Sequence, residues 1–324
     1  HAPAPVPAPS PPMPPAPQPQ PQALGDMQVR LRYAQESRVL GVVLSAPGVL
    51  RSGTQAVQVP PGHWQLHLSQ VQPAQQRIHV FPKTFQPGEE QALEAYLAQW
   101  RQQGFQPEVK VFGKQLYAAD GRVIDNRQYW VSLARVDTPS EAEALIKRLA
   151  AQQVWAWQRS ETITPGSGLL TLSDSQGQVL DRVPLPGSLA CTAPLNLMNV
   201  DSGFWRETRT DRSYQGPLSL EVGPTGALEI LGSLSLETYL QGVVPAEMPA
   251  SWPPSALAAQ AVAARSEVLF NLAGKHHLEG FDFCALEHCR AYRGLGGHVA
   301  TTDAAVRHTR GEVLISGFRT VPTV

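Results

Sequence analysis

The chain carries one carboxylate in a setting suited to proton transfer, within Tyr239-Leu-Gln-Gly-Val-Val-Pro-Ala-Glu247-Met-Pro-Ala-Ser-Trp-Pro-Pro254. Pro245 and Pro249 each fix their own φ and push the preceding residue away from helical geometry. The spacing therefore predicts Glu247 on a short, stiff turn between two helical segments, beside Val243, Val244, Met248 and Trp252. An acid mounted in this way suits general acid/base chemistry, because a desolvated carboxyl keeps its proton. On spacing alone, a glutamate that merely caps the next helix fits as well.

A second constellation is Lys275-His276-His277-Leu-Glu-Gly-Phe-Asp-Phe-Cys284-Ala-Leu-Glu-His288-Cys289. Thiolates and imidazoles this close together can form a tetrahedral nitrogen–sulfur site for zinc. A Cys284–Cys289 disulfide, as in an oxidising compartment, and a set of unligated side chains are the competing readings. The chain has three cysteines, so Cys191 is left over in either case.

The element between these groups is a helix. Ser255 to Ala273 has strong helical propensity, and Leu257, Ala261, Ala264, Val268 and Leu272 recur at helical spacing. Pro253 and Pro254 suit its first turn and Gly274 its end. Gln260 and Arg265 are polar exceptions expected within reach of the Glu247 turn, as substrate-binding residues.

The run from Leu236 through Glu247-Met-Pro to Arg265 resembles the signature of the SpoIID family. The similarity extends to Arg212-Ser-Tyr-Gln-Gly-Pro-Leu, to Phe281-Asp-Phe-Cys-Ala-Leu-Glu-His-Cys-Arg-Ala-Tyr292 and to Ala305 through Leu314. The resemblance implies a lytic transglycosylase, a carbon–oxygen lyase that cuts peptidoglycan glycan strands, with amidase enhancers among its relatives. It assigns Glu247 as the acid/base. An ordinary glycosidase needs two carboxylates. A transglycosylase uses the muramic acid's own 6-hydroxyl, so one acid suffices and the product ends in a 1,6-anhydro sugar. Were the reaction a hydrolysis, Glu279, Asp282, Glu287 or Asp303 would have to supply the second acid. The resemblance also implies a structural zinc on one His and two Cys. Matching by spacing gives His277, Cys284 and Cys289, with His276 or His288 as substitutes.

Composition narrows the partners. The 324 residues carry a net charge of −1 without basic runs, which argues against nucleic acid. No stretch has the roughly 18 consecutive apolar residues of a membrane span. The chain opens at His1 without a Met, as expected after removal of a signal peptide or trimming. With the resemblance, this points to an extracytoplasmic place, in the periplasm or cell wall.

Residues 1–24 are rich in Pro, Ala and Gln and read as an extended tether. Residues 25–74 read as the β-rich start of the lobe, with strands over Met27 to Tyr33, Val39 to Leu44, Ala56 to Val59 and Trp64 to Leu68. Residues 75–158 form an insertion of their own. Strands are expected over Arg77–Phe81, Val109–Phe112, Tyr129–Val136 and Val154–Trp157. The middle two are joined through the Asp120-Gly121 turn, and helices are expected over Glu89–Gln103 and Ser140–Gln152. That order is βαββαβ, ferredoxin-like, and resembles a SPOR module, which binds glycan strands stripped of their peptides. Trp155 and Trp157 fall on one face of its last strand and are candidates for stacking on sugar.

Residues 159–324 complete the catalytic part. Here the chain stops short of a further strand and a Tyr/Ser/Gly-rich segment of the family, which would leave Gly311 to Ile315 as an unpaired edge. Arg290 stands where the family tends to have Gln, and Ser266-Glu267 where Thr-Tyr is common. The expected molecule is an α+β protein: a SpoIID-like lobe interrupted by a SPOR-like insertion. It would cleave peptidoglycan or, alternatively, bind glycan without catalysis and recruit a cell-wall amidase.

Overall fold

The computed structural model describes residues 24–31, 37–201 and 209–322. The expected tether over residues 1–23 and the end of the first expected strand, at Tyr33, lie outside these residues. The architecture is α+β, built on two largely antiparallel sheets.

The first sheet has seven strands, in the order Phe283–Cys284, Met27–Arg30, Leu228–Leu234, Leu218–Val222, Gly187–Cys191, Gly48–Ser52, Gln55–Val59. The second has six, in the order Val179–Leu185, Ser167–Asp174, Gly62–Gln72, Val39–Leu44, Leu195–Asp201, Arg209–Tyr214. Leu40, Val42 and Leu44, then Leu218, Leu220 and Val222, are buried at alternate positions, which is the two-residue period of a strand with one face on a core. These side chains join Tyr239, Leu240, Val243, Val244, Ala261, Ala264 and Val268 of the helices in one apolar cluster.

The inserted unit leaves the six-stranded sheet after Gln72 and returns at Ser167, its cross-strand partner. Helix α1 (Glu90–Gln102) buries Leu93, Leu97 and Trp100, and helix α2 (Pro139–Ala151) buries Ala142, Leu145 and Leu149. Thr138 caps α2 reciprocally with Glu141, so the sequence marks that start by a capping box. Trp157–Thr164 pairs with Gln75–Phe81, which pairs with Ala134–Val136, while Glu108–Phe112 pairs with Gln128–Ser132, all antiparallel. The first strand bends at Pro82 and resumes as Lys83–Phe85, because proline removes a ladder donor. The unit follows the βαββαβ order, with one addition. The Asp120-Gly121 turn closes a separate hairpin, Gln115–Tyr117 with Val123–Asp125, rather than joining the neighbouring strands directly. The last strand starts at Trp157, so Trp155 precedes it.

Hydrogen bonds fasten this unit to the lobe. Gly113 N–H donates to Ala273 O at 2.8 Å. The fully buried Asn126 donates to Leu269 O and accepts from Thr320 N–H, each at 3.0 Å. Gly113 is in the left-handed region, and a Cβ there would lie 2.2 Å from Asn126 O, so only glycine fits. Ile315–Ser316 pairs with Arg319–Thr320. Residues 311–314 form no strand, which corrects the expectation of an unpaired edge over 311–315. No helix among the described residues is long and apolar enough to cross a membrane.

Candidate functional site

Helix α3 (Leu236–Glu247) is capped by Ser235, which accepts from Thr238 N–H at 3.2 Å, and buries Tyr239, Leu240, Gly242, Val243 and Val244. A Cβ at Gly242 would meet the Tyr292 ring at 2.3 Å. Glycine therefore lets the Tyr292 segment lie directly on the helix one turn before its end. Glu247 is the last residue of α3, with Pro245 inside the final turn. The expected non-helical turn begins only at Met248, which is extended ahead of Pro249. Proline is tolerated here because the helix is already ending.

The Glu247 side chain is 19% exposed and held by polar groups. Its Oε2 accepts from Gln260 Nε2 at 2.9 Å and from Arg290 Nη1 at 2.5 Å. The other arm of Arg290, Nη2, pairs with Glu267 Oε2. Gln260 and Glu267 both lie on helix α4 (Pro254–Asn271). They are seven residues apart, two turns along one face. Glu247 thus sits in an ion-paired, amide-bonded setting where apolar neighbours were expected. Glu247, Glu267, Lys275, Glu287, Arg290 and Arg293 line an open groove of about 430 Å³.

The same groove is lined by His288 and Cys289. Ligand atoms of His276, Cys284, His288 and Cys289 all lie within 4.8 Å of one another. The loop that carries them is mounted on the sheet edge. Asp282 N–H donates to Gln28 O at 2.8 Å, Ala285 N–H to Arg30 O at 2.9 Å, and Phe283–Cys284 runs parallel to Met27–Arg30. The Asp282 carboxylate also accepts from Ala273 N–H at 3.2 Å. This bond helps hold Ala273 at φ 53° where α4 ends, one residue before the expected Gly274.

This donor set suits a tetrahedral soft cation. His276 Nδ1 is 2.8 Å from Glu279 Oε1, while its Nε2 is buried without a hydrogen-bond partner. A carboxylate on one ring nitrogen with the other turned to the ligand cluster is the usual support for a metal-bound histidine. Cys284 and Cys289 are both free thiols. The Cys289 thiol, donating to Cys284, holds the Cys284 pKa well below the ordinary thiol value.

His277 is not in this cluster, contrary to the spacing match. It opens the short turn His277–Glu279, is exposed, and lies 6.1 Å from the Phe112 ring of the inserted unit. The signal for His276 was its Glu three residues on. Arg265 also departs from expectation. It is 1% exposed, donates through Nε and Nη2 to Glu237 at 2.9 and 2.8 Å, and donates to Val306 O and Glu312 O at 3.1 Å each. It ties α3 to helix α5 (Ala300–His308) and to the chain beyond, and does not line the groove. Gln260 does reach Glu247. Trp155 is 74% exposed, with its ring 5.0 Å from that of Trp157, which packs on Phe81 and Trp130. Both belong to the inserted unit, and neither lines the Glu247 groove.

Of the acids considered as partners in a hydrolysis, Glu279 serves His276, Asp282 caps backbone, and Asp303 lies 3.8 Å from His298. Only Glu287 reaches the groove. Sequence reasoning passed over Glu267 and Arg290 as site residues. The seven-residue spacing from Gln260 was the available signal for Glu267.

The family model for the stage II sporulation protein SpoIID matches residues 225–315. An uncharacterized protein of Brachyspira hyodysenteriae is 31% identical over 94 residues, which is 29% of this chain. The chain spans 26% of that relative's length. The solved structure named Putative exported protein, from Burkholderia pseudomallei, shares 20% identity over 48% of this chain and 28% of its own. Its TM-score is 0.23, a likeness that carries no argument. The segment similar to SpoIID holds Glu247, Gln260, Glu267, Arg290 and the whole cysteine–histidine cluster.

Proposed function

We propose that this protein is a peptidoglycan lytic transglycosylase that cleaves the MurNAc–GlcNAc bond of denuded glycan strands. The similarity of residues 225–315 to SpoIID supports a cell-wall role. The observation that supports the finer reading is Glu247, mounted at a helix end beside an open groove with its Oε2 fixed by two donors. Oε1, which neither donor engages, is the oxygen available to substrate. Glu247 gives a proton to the glycosidic oxygen as the C–O bond breaks. It then removes the proton of the muramic 6-hydroxyl as that oxygen closes on the anomeric carbon. No water is consumed, and the internal nucleophile supplies much of the acceleration.

His276, Cys284, His288 and Cys289 would hold zinc, whose part is to clamp the loop that forms one wall of the groove. The βαββαβ unit is read as a SPOR-like glycan-binding module, with Trp155 and Trp157 as its stacking surface. A peptidoglycan substrate places the protein outside the cytoplasm.

The Arg290–Glu247 ion pair favours a second reading, in which the groove binds glycan without cutting it and the protein stimulates a cell-wall amidase. One digest decides. Denuded glycans are treated with wild type and with Glu247→Gln, and the ends are analysed by mass spectrometry. Anhydro-muramic ends from wild type alone support the enzyme. Their absence from both leaves the binding role. The same strands test the module, because a folded Trp155→Ala variant that is retained as well as wild type would remove the stacking role.

A further inference from the structure

We infer that Arg290 is a positioning residue that aims Glu247, with Glu267 as its second anchor. The inference rests on the transglycosylase reading of the Glu247 groove. Arg290 engages the two carboxylates with different nitrogens, Nη1 on Glu247 and Nη2 on Glu267. A guanidinium is planar, so fixing both arms fixes the plane and hence the direction of each bond. Glu267 is on α4 and Glu247 ends α3, so Arg290 spans the two helices that flank the groove. Gln260 adds a second donor to the same Oε2 at 2.9 Å. With Oε2 held from two directions, rotation about the last side-chain bond is stopped and Oε1 is presented.

Arg290 is in turn carried by the cysteine loop. It follows Cys289 directly, and Cys284 N–H donates to Cys289 Sγ at 3.4 Å. The cluster therefore sets the backbone from which Arg290 reaches, and so acts on the acid at one remove. A lysine could pair with one carboxylate but would not define a plane. A glutamine could reach one of them but brings no charge.

The test uses the full chain. Arg290→Ala is expected to keep its fold, shown by a single cooperative thermal transition and an unchanged thiol count. Its kcat should fall about 10²-fold, the order expected when a reacting group is misplaced by about an ångström, with KM within about twofold. Added guanidinium should restore part of the loss. Glu267→Gln, which frees one arm, should fall less, by about tenfold. A folded Arg290→Ala with near-wild-type kcat overturns the inference. So does a rise in KM at constant kcat, which would make Arg290 a substrate-binding group, and so does a loss that guanidinium leaves untouched. If wild type makes no anhydro ends, the transglycosylase reading fails separately. The crystal structure of Arg290→Ala then decides the geometry, since a Glu247 carboxylate in an unchanged orientation refutes the positioning role.

Discussion

Replacing Arg265 by Met separates its structural role from the substrate-binding role suggested by its sequence position. Met keeps most of the volume and removes the charge and every donor. Two bonds to Glu237 and those to the Val306 and Glu312 carbonyls are lost. Breaking a buried ion pair by deleting one partner costs about 3–5 kcal/mol. Glu237 is 25% exposed and can recover some hydration, so the lower end, about 3 kcal/mol, applies. At about 2–4 °C per kcal/mol for a domain of this size, the thermal midpoint should drop by about 6–12 °C. Calorimetry of the full chain measures it, and titration of denuded glycan at a temperature where the variant is folded should give wild-type affinity. A midpoint within about 2 °C of wild type, with weakened glycan binding, would refute the reasoning and restore Arg265 as a substrate contact.

Two more outcomes follow from the geometry. Burial, then the neighbouring Glu229, raises the Glu221 pKa above the ordinary 4.5. The folded state then holds this proton more tightly than the unfolded state, so the contribution of Glu221 to stability falls as pH rises above 4.5 towards the folded value. Glu221→Gln should therefore match wild type at pH 4 and have the higher thermal midpoint at pH 7, and a lower midpoint at pH 7 would contradict the sign. Protein isolated without chelator should carry about one zinc per chain. Cys289→Ser should lose it, and chelation should lower the thermal midpoint and expose two reactive thiols. Metal-free protein with unreactive Cys284 and Cys289 would indicate a disulfide instead.

The elements that the sequence reveals are those whose signals are local. α1, α2 and α4 carry apolar residues at helical spacing, and the Thr138–Glu141 box announces α2 within four residues. The strands between Ser167 and Leu234 were not read individually, because their partners lie far along the chain, as Leu189 does from Leu50. The site divides in the same way. Glu247 was legible because prolines bracket it. Arg265 was misplaced because five residues on a helix is about 500°, or some 140° around from Gln260. His276 and His277 differ only in which residue opens a tight turn, and that choice is set by Glu279 and by the loop's mounting on the sheet edge. Arg290 and Glu267 are invisible as a pair until α4 and the cysteine loop are brought together.

Gln72 and Ser167 sit opposite each other in adjacent strands. A tight connection of two or three residues could replace the ninety-four between them without disturbing the sheet's register. The lobe and the inserted unit thus meet at a single seam in the sheet. Splicing there would yield a minimal lobe whose newly uncovered surfaces include those that Asn126, Gly113 and Thr162 now contact.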